Sequence, residues 1–149
     1  MTENPGSVID ESAFTVRRTI YISAAAEKVW SAVTKPEHIS NWFGRTSLDG
    51  AGVGARGTMT FGDDAPIPLA VEHVDEPRTV SYRWGDDEHS TVFTFTLDPH
   101  GDGTRLTVVE SGFERADNPS EQLADHANGW VSELDKLVAL LEDGVVTRA

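Results

Sequence analysis

The chain has 149 residues, four tryptophans, no cysteine and a formal net charge of -13. A chain of this length forms one domain and buries about 68–70% of the surface that its unfolded state exposes. Without cysteine it has neither a disulfide framework nor thiol chemistry. The negative charge repels phosphate backbones and anionic membrane surfaces. We therefore expect no nucleic-acid partner and no membrane insertion.

The N-terminal segment, residues 1–12, is polar and acidic and lacks the basic and apolar parts of a secretory signal. We expect a disordered arm there and a single domain over residues 13–144. The longest apolar run, residues 137–141, is far shorter than the roughly 20 residues that cross a bilayer. The sequence therefore predicts a cytoplasmic protein.

The first predicted strand covers residues 14–22, where apolar and polar side chains alternate. Two short helices follow it. The first begins after Ser23, a residue type that is favourable as an N-cap. The second begins at Pro36, since proline suits the first helical position, and it ends at Gly44.

Alternation then returns in residues 58–61, 67–74, 78–84, 91–97 and 104–111. Short runs rich in Asp, Gly and Pro separate these segments, which indicates an antiparallel meander. From Pro119 to Gly144 the pattern changes to that of a long amphipathic helix. Its apolar stripe consists of Leu123, Ala127, Trp130, Leu134, Leu137 and Leu141.

One helix about 10 Å wide cannot cover a flat sheet of five or more strands spaced about 4.8 Å apart. The sheet is therefore expected to curl around the C-terminal helix. Where the helix fails to cover the sheet, a cavity or an interface remains. The pattern thus points to binding without naming what is bound.

Two segments carry a family resemblance. Residues 20–30, with the sequence Ile-Tyr-Ile-Ser-Ala-Ala-Ala-Glu-Lys-Val-Trp, are similar to the opening of START-like (SRPBCC) domains. The segment from Pro36 to Phe43 resembles the helix that follows in those domains. Further segments resemble the family related to the C-terminal domain of the activator of the heat-shock-protein-90 ATPase: residues 75–84, 103–108, 111–113 and 129–134.

The resemblance covers roughly residues 14–142 and implies an α+β helix-grip fold. In this fold a curved antiparallel sheet of about six to seven strands wraps around the long C-terminal helix and encloses an apolar cavity, with two short helices after the first strand. Members of the superfamily bind lipids, sterols or plant hormones, and some cyclise or dehydrate aromatic polyketides. The co-chaperone relative carries an additional N-terminal domain.

We therefore expect a binding module for a small apolar or aromatic molecule in an internal cavity, without evident catalysis. The alternative is a cyclase- or dehydratase-type enzyme acting on an aromatic polyketide-like substrate, with Glu110 or His73 as the general base. A second alternative is a co-chaperone-like protein-interaction domain in a stress response, whose partner is a chaperone or another protein. A monomer and a homodimer are both compatible with the sequence.

Three polar residues lie on otherwise apolar strand faces: Arg18, His73 and Glu110. The first and last strands are neighbours in the implied fold, so Arg18 and Glu110 are placed to pair on the concave side. Such a pair is either structural or orients a ligand, because burying one charge alone is costly. The predicted ligand-binding residues are Arg18, Trp30, Trp42, Phe43, His73, Tyr82, Trp84, Phe95, Glu110, His126 and Trp130.

Other motifs point to no further chemistry. The run from Gly52 to Gly57 matches G-x-G-x-x-G, but strand-like residues follow it where a dinucleotide site requires a helix. We interpret it as a flexible loop. The five histidines lack the spacing of metal ligands, and no serine lies in a nucleophile motif. The sequence thus predicts neither a metal nor a cofactor.

Overall fold

The computed structural model describes residues 4–86 and 88–147. Its strands are β1 (Val8–Asp10), β2 (Thr15–Ile22), β3 (Arg45–Leu48), β4 (Arg56–Thr60), β5 (Ile67–Asp75), β6 (Thr79–Trp84), β7 (Thr91–His100) and β8 (Gly103–Ser111). They form one sheet in the order β1-β2-β8-β7-β6-β5-β4-β3, and every neighbouring pair is antiparallel. The predicted α+β helix-grip fold is confirmed, with eight strands in place of six to seven.

Three helices accompany the sheet: α1 (Ala26–Thr34), α2 (Pro36–Ile39) and α3 (Pro119–Asp143). Pro36 occupies the first turn of α2, as predicted, but Ser23 does not cap α1, which begins after Ala25 without a side-chain cap. Instead, the Ser23 backbone N–H donates to the Glu142 carboxylate at the end of α3.

Helix α3 follows the predicted amphipathic pattern. The structure buries Leu123, Ala127, Trp130, Leu134 and Leu137 on one stripe, while Leu141 is half-buried. The helix ends at Gly144, whose φ of 72° lies in the left-handed region that glycine adopts without strain.

The sequence does not predict two of the strands, because both are short and lack alternation. Strand β1 lies in the segment expected to be a disordered arm, and its residues Val8–Asp10 pair with residues 15–17 of β2. Residues 1–3 lie outside the described residues. Strand β3 pairs with β4, and a Cβ on Gly57 would overlap the carbonyl oxygen of Ser47 in that pair. Gly57 thus permits the close approach of these two strands.

The predicted neighbours, residues 14–22 and 104–111, are adjacent as β2 and β8. Val16 lies opposite Glu110, and Arg18 lies opposite Val108. All four side chains are buried on the inner face of the sheet, which packs against α3. The first and last long strands are therefore neighbours, as the resemblance implied, and β2 packs against α3.

Strand β5 contains a bulge that overturns one prediction. The pairing with β6 shifts between Val71 and His73, so that Glu72 is the additional residue. A bulge reverses the alternation beyond it. His73 consequently lies opposite Ser81 instead of sharing the inner face with Val71, and its side chain is exposed.

The middle of the inner face is filled with side chains. We call this region the packed centre; it consists of Ile39, Trp42, Phe43, Met59, Leu69, Tyr82, Phe93 and Phe95. The volume open to a water-sized sphere there is about 0 Å³. This described region of the inner face therefore contains no cavity.

None of the helices in the described part of the chain is both long and apolar enough to cross a membrane.

Candidate functional site

Open space on the inner face lies beside the packed centre, between α3 and the ends of β4 and β6. We call this space the α3 pocket, and its volume is about 160 Å³. It is lined by Phe43, Phe61, Trp84, Asp125, His126, Gly129, Trp130 and Glu133. A second cavity of about 460 Å³ adjoins it and shares Trp84 and His126 as walls.

Local structure explains how these side chains meet. Trp84 is the last residue of β6, and Phe61 directly follows β4. On α3, Asp125, Gly129 and Glu133 are spaced by four residues, which places them on one side of the helix. The pocket therefore has aromatic walls from the sheet and a mixed wall from the helix.

Beneath the pocket, Glu110 of β8 is a fully buried carboxylate with an exposed fraction of 0%. It accepts three hydrogen bonds. Trp130 Nε1–H and His126 Nδ1–H both donate to Oε1 over 2.9 Å, and the Thr91 hydroxyl donates to Oε2 over 2.5 Å. No lysine or arginine pairs with Glu110 among residues 4–86 and 88–147, so His126 is its only cationic partner there.

His126 connects this buried carboxylate to the pocket. Because Nδ1 faces Glu110, the other ring nitrogen, Nε2, points away from the carboxylate, and 26% of the side chain is exposed. Burial of the imidazole lowers its pKa, but the hydrogen bond to Glu110 and the charges of Glu110 and Asp125 act in the opposite direction. Their net effect raises the pKa of His126 above its ordinary value.

The buried indole nitrogen of Trp84 is a further polar group in this wall. Its Nε1–H finds no hydrogen-bond acceptor among the described residues. The Trp84 ring lies 5.7 Å from the imidazole of His126, measured between centroids. A buried donor without an acceptor carries a desolvation cost of about 1–3 kcal/mol.

Gly129 accounts for part of the open volume. A Cβ built at Gly129 would meet no atom within 4 Å. Gly129 therefore leaves room in the pocket and does not serve a close approach of α3 to the sheet.

Five of the predicted ligand-binding residues meet at this site. Phe43, Trp84, His126 and Trp130 line the α3 pocket, and Glu110 lies beneath it. The remaining predicted residues line neither of the two cavities: Arg18, Trp30, Trp42, His73, Tyr82 and Phe95.

The contacts of Arg18 are with the protein's own backbone and side chains and stabilise the fold. Its side chain is 2% exposed and does not contact Glu110, contrary to the predicted pair. It binds Asp135 over 2.9 Å and donates to the α3 carbonyl groups of Trp130 and Val131 over 3.2 and 3.1 Å. It also donates to the carbonyl of Pro5, so this guanidinium joins the N-terminal segment to α3.

Tyr82 and Trp42 likewise hold helices in place. The Tyr82 hydroxyl donates to the carbonyl of Val33 over 2.6 Å, and Trp42 Nε1–H donates to that of Ala32 over 2.9 Å. Burial raises the pKa of Tyr82, which keeps its hydroxyl a donor. Trp30 lies half-buried on α1.

Sequence reasoning missed Phe61, Asp125, Glu133 and Thr91 as parts of this site. Phe61 was detectable, since it falls two residues after Met59 on the same strand face. Asp125 and Glu133 flank the apolar stripe and look like solvated helix positions. Thr91 gave no signal in the sequence, because its role depends on its position beside Glu110 on the neighbouring strand.

The comparisons with known proteins agree with this fold. The model of the family described as "Activator of Hsp90 ATPase homolog 1-like protein" matches residues 23–142. The chain belongs to this family. The match confirms the predicted resemblance to START-like domains and to the Hsp90 ATPase activator. No curated protein matches the chain.

Solved structures extend the comparison. Protein MLL2253 from Mesorhizobium loti is 30% identical, with a TM-score of 0.76, covering 86% of this chain and 96% of that one. DynU16, a protein in the dynemicin biosynthetic locus, is 28% identical with a TM-score of 0.76 over 91% of this chain. The match covers 49% of DynU16, so the chain spans about half of its length.

A third structure, the Aha1 dimer from Colwellia psychrerythraea, is 21% identical, with a TM-score of 0.73. It covers 87% of this chain and 97% of that one. At this identity the likeness concerns the fold alone.

Proposed function

We propose that this protein binds a small apolar or aromatic molecule in the α3 pocket and the adjoining second cavity. The observation that carries the proposal is an open, aromatic-walled space beside a packed centre with no free volume. Small-molecule sites combine such walls with a few polar groups, and here His126 supplies one. The similarity to DynU16, from a biosynthetic locus, supports a small organic molecule as the ligand.

The experiment is a thermal-shift screen with fatty acids, isoprenoids and aromatic polyketides. A ligand at 100 times its dissociation constant adds about 2.7 kcal/mol to the free energy of unfolding. For a chain of this length the melting temperature rises by roughly 2–4 °C per kcal/mol. We expect a shift confined to one chemical class, and no shift with any class would contradict the proposal.

A pocket-filling variant locates the binding. Gly129→Leu places a side chain in the α3 pocket and improves helix propensity, so the fold is preserved. We expect it to abolish the ligand-induced shift. The matched control is Asn128→Leu, at the neighbouring exposed position on the same helix, which should leave the shift unchanged. Equal binding by both variants would place the ligand elsewhere.

The contact between His126 and Glu110 favours one second candidate, an enzyme that transfers protons at the ligand. A carboxylate that holds one imidazole nitrogen orients the other as an acid or base. This arrangement replaces His73, which is exposed, and Glu110 itself, which is fully buried and accepts three hydrogen bonds. His126 is therefore the acid–base residue of this candidate, with Glu110 as its positioning partner.

Proton exchange tests the second candidate without knowledge of the natural substrate. An enzyme of this type exchanges the acidic C–H protons of a bound aryl methyl ketone for deuterium in heavy water. The exchange is followed by NMR, and we expect it to stop in His126→Asn. Exchange no faster than in buffer would leave binding as the function.

The protein-interaction alternative predicts an exposed apolar patch larger than the few hundred Å² usual for monomers. Among the described residues, the exposed large apolar side chains are spread over β1, β2, one loop and the C-terminal tail: Val8, Ile9, Tyr21, Val53, Val145 and Val146. This distribution gives that alternative no specific support.

A further inference from the structure

The polar groups of the α3 pocket bear on the chemistry of its ligand. Glu110 is a buried carboxylate whose only cationic partner among the described residues is His126. A buried charge without a countercharge is costly, so the pair favours an imidazolium. In that state Nε2 carries a proton and acts as a hydrogen-bond donor on the side away from Glu110.

A second donor lies in the same wall. The Trp84 indole N–H is buried and has no acceptor among residues 4–86 and 88–147. Both rings border the α3 pocket and the second cavity. Because this nitrogen has no accessible surface, a ligand acceptor pairs with it only if the Trp84 ring turns towards the pocket.

Charge distinguishes the possible acceptors. The imidazolium and the Glu110 carboxylate neutralise each other, so the site offers no net positive charge to an anion. Asp125 lies on the pocket wall, Glu133 lies there paired with Lys136 over 2.7 Å, and the chain as a whole carries -13. Both features disfavour a carboxylate ligand, and the two donors disfavour an amine, which has no acceptor when protonated.

We propose that the α3 pocket selects neutral ligands in which a carbonyl oxygen is attached to an aromatic body, with the oxygen accepting a hydrogen bond from His126 Nε2–H. This inference rests on the proposed function and specifies its ligand class. The aromatic body packs between Phe43, Trp84 and Trp130, and the carbonyl oxygen lies at the wall shared with the second cavity.

Four probes with the same ring system separate the alternatives. The first two are 2-acetylnaphthalene, which has a carbonyl, and 2-ethylnaphthalene, in which the carbonyl oxygen is replaced by hydrogen. The other two are 2-naphthoate, an anion, and 2-naphthylmethylamine, a cation. Dissociation constants are measured by isothermal titration calorimetry at pH 6. We expect the acetyl compound to bind about tenfold tighter than the ethyl compound, the size of a net hydrogen bond to a charged donor.

The variant His126→Asn isolates the proposed donor. The asparagine amide reproduces the Nδ1–H that donates to Glu110 but has no group in place of Nε2. We expect the preference for acetyl over ethyl to fall to about onefold while binding of the ethyl compound persists. Trp84→Phe removes the indole N–H donor together with part of the aromatic wall, so both compounds should bind more weakly and the preference for acetyl should fall without disappearing.

Wild-type protein supplies a second test that needs no variant. Deprotonation converts Nε2 from donor to acceptor, so the preference for acetyl should decline as the pH rises. The ionisable groups around His126 are Glu110 beneath it, Asp125 and Glu133 on its own helix, and His89 and Asp117 across the second cavity. The affinity for 2-ethylnaphthalene, which has no acceptor, should not change with pH.

The outcomes separate this inference from the proposed function. Equal affinities for acetyl and ethyl compounds would overturn the inference and leave apolar binding intact. Tightest binding of the naphthoate or of the amine would overturn it in favour of a charged ligand. Absence of binding by all four probes would overturn the proposed function together with the inference.

Discussion

The packed centre and the α3 pocket lie on the same face of one sheet and share Phe43, yet only one of them is open. Over the packed centre, α2 and the turn after it place Ile39 and Trp42 directly on the sheet, and no free volume remains. Over the pocket, α3 presents Gly129, so no side chain fills the gap towards Trp84. The open space thus follows from a single uncovered stretch of sheet.

Truncating Phe95 in the packed centre has the largest expected effect. Its side chain is 2% exposed, so Phe95→Ala leaves a cavity and should lower the free energy of unfolding by about 3–5 kcal/mol. Urea denaturation measures this. A loss below about 1 kcal/mol would indicate that this region is not close-packed.

Removing the Arg18 guanidinium should have the next largest effect. Arg18→Met keeps an unbranched buried chain but loses the bonds to Asp135, to Pro5 and to the α3 carbonyl groups. Hydrogen bonds to charged groups contribute about 1.5–3 kcal/mol, and we expect a loss of that size in urea denaturation. Ligand affinity should be unchanged, because Arg18 lines neither cavity; a large change in affinity would contradict its structural role.

The His126–Glu110 contact should give stability a pH dependence. The pKa of His126 is raised in the folded protein, so its contribution is fully present below the unfolded pKa of about 6.5. That contribution is lost as the pH rises through the higher folded pKa. NMR titration of the His126 ring measures the folded value, which should fall in Glu110→Gln. An unchanged value would show that Glu110 does not hold the proton.

Gly129→Ala should give the smallest effect and the sharpest contrast. Alanine improves helix propensity, so the free energy of unfolding should rise by up to about 1 kcal/mol, while its methyl group enters the pocket and weakens ligand binding. The control Asn128→Ala should also stabilise the helix but leave ligand affinity unchanged. Loss of stability in Gly129→Ala would mean that the position is close-packed.

Much of the fold was predictable because it depends on local periodicity. The apolar stripe of α3, its end at Gly144 and the six long strands all follow from residue spacing. Strands β1 and β3 were not, because three or four residues without clear alternation give no pattern, even though each pairs with the next strand along the chain. The placement of His73 failed for a related reason: a bulge at Glu72 leaves no mark in the alternation before it.

The candidate site was predictable in its residue types more than in its contacts. Spacing placed Glu110 on the inner face, but its partners come from Thr91 on the next strand and from α3. Arg18 pairs with Asp135 and donates hydrogen bonds to carbonyl groups of α3. These partners depend on three-dimensional packing and could not be read from the sequence. Aromatic content likewise could not distinguish Trp84, at the pocket, from Trp42, in the packed centre.

The four tryptophans permit one direct measurement of that distinction. Each indole N–H gives its own signal in a 15N–1H correlation spectrum, which is recorded during titration with 2-acetylnaphthalene. We predict that the signals of Trp84 and Trp130 move while those of Trp30 and Trp42 stay in place. Movement of the Trp42 signal with that of Trp84 unchanged would contradict binding in the α3 pocket.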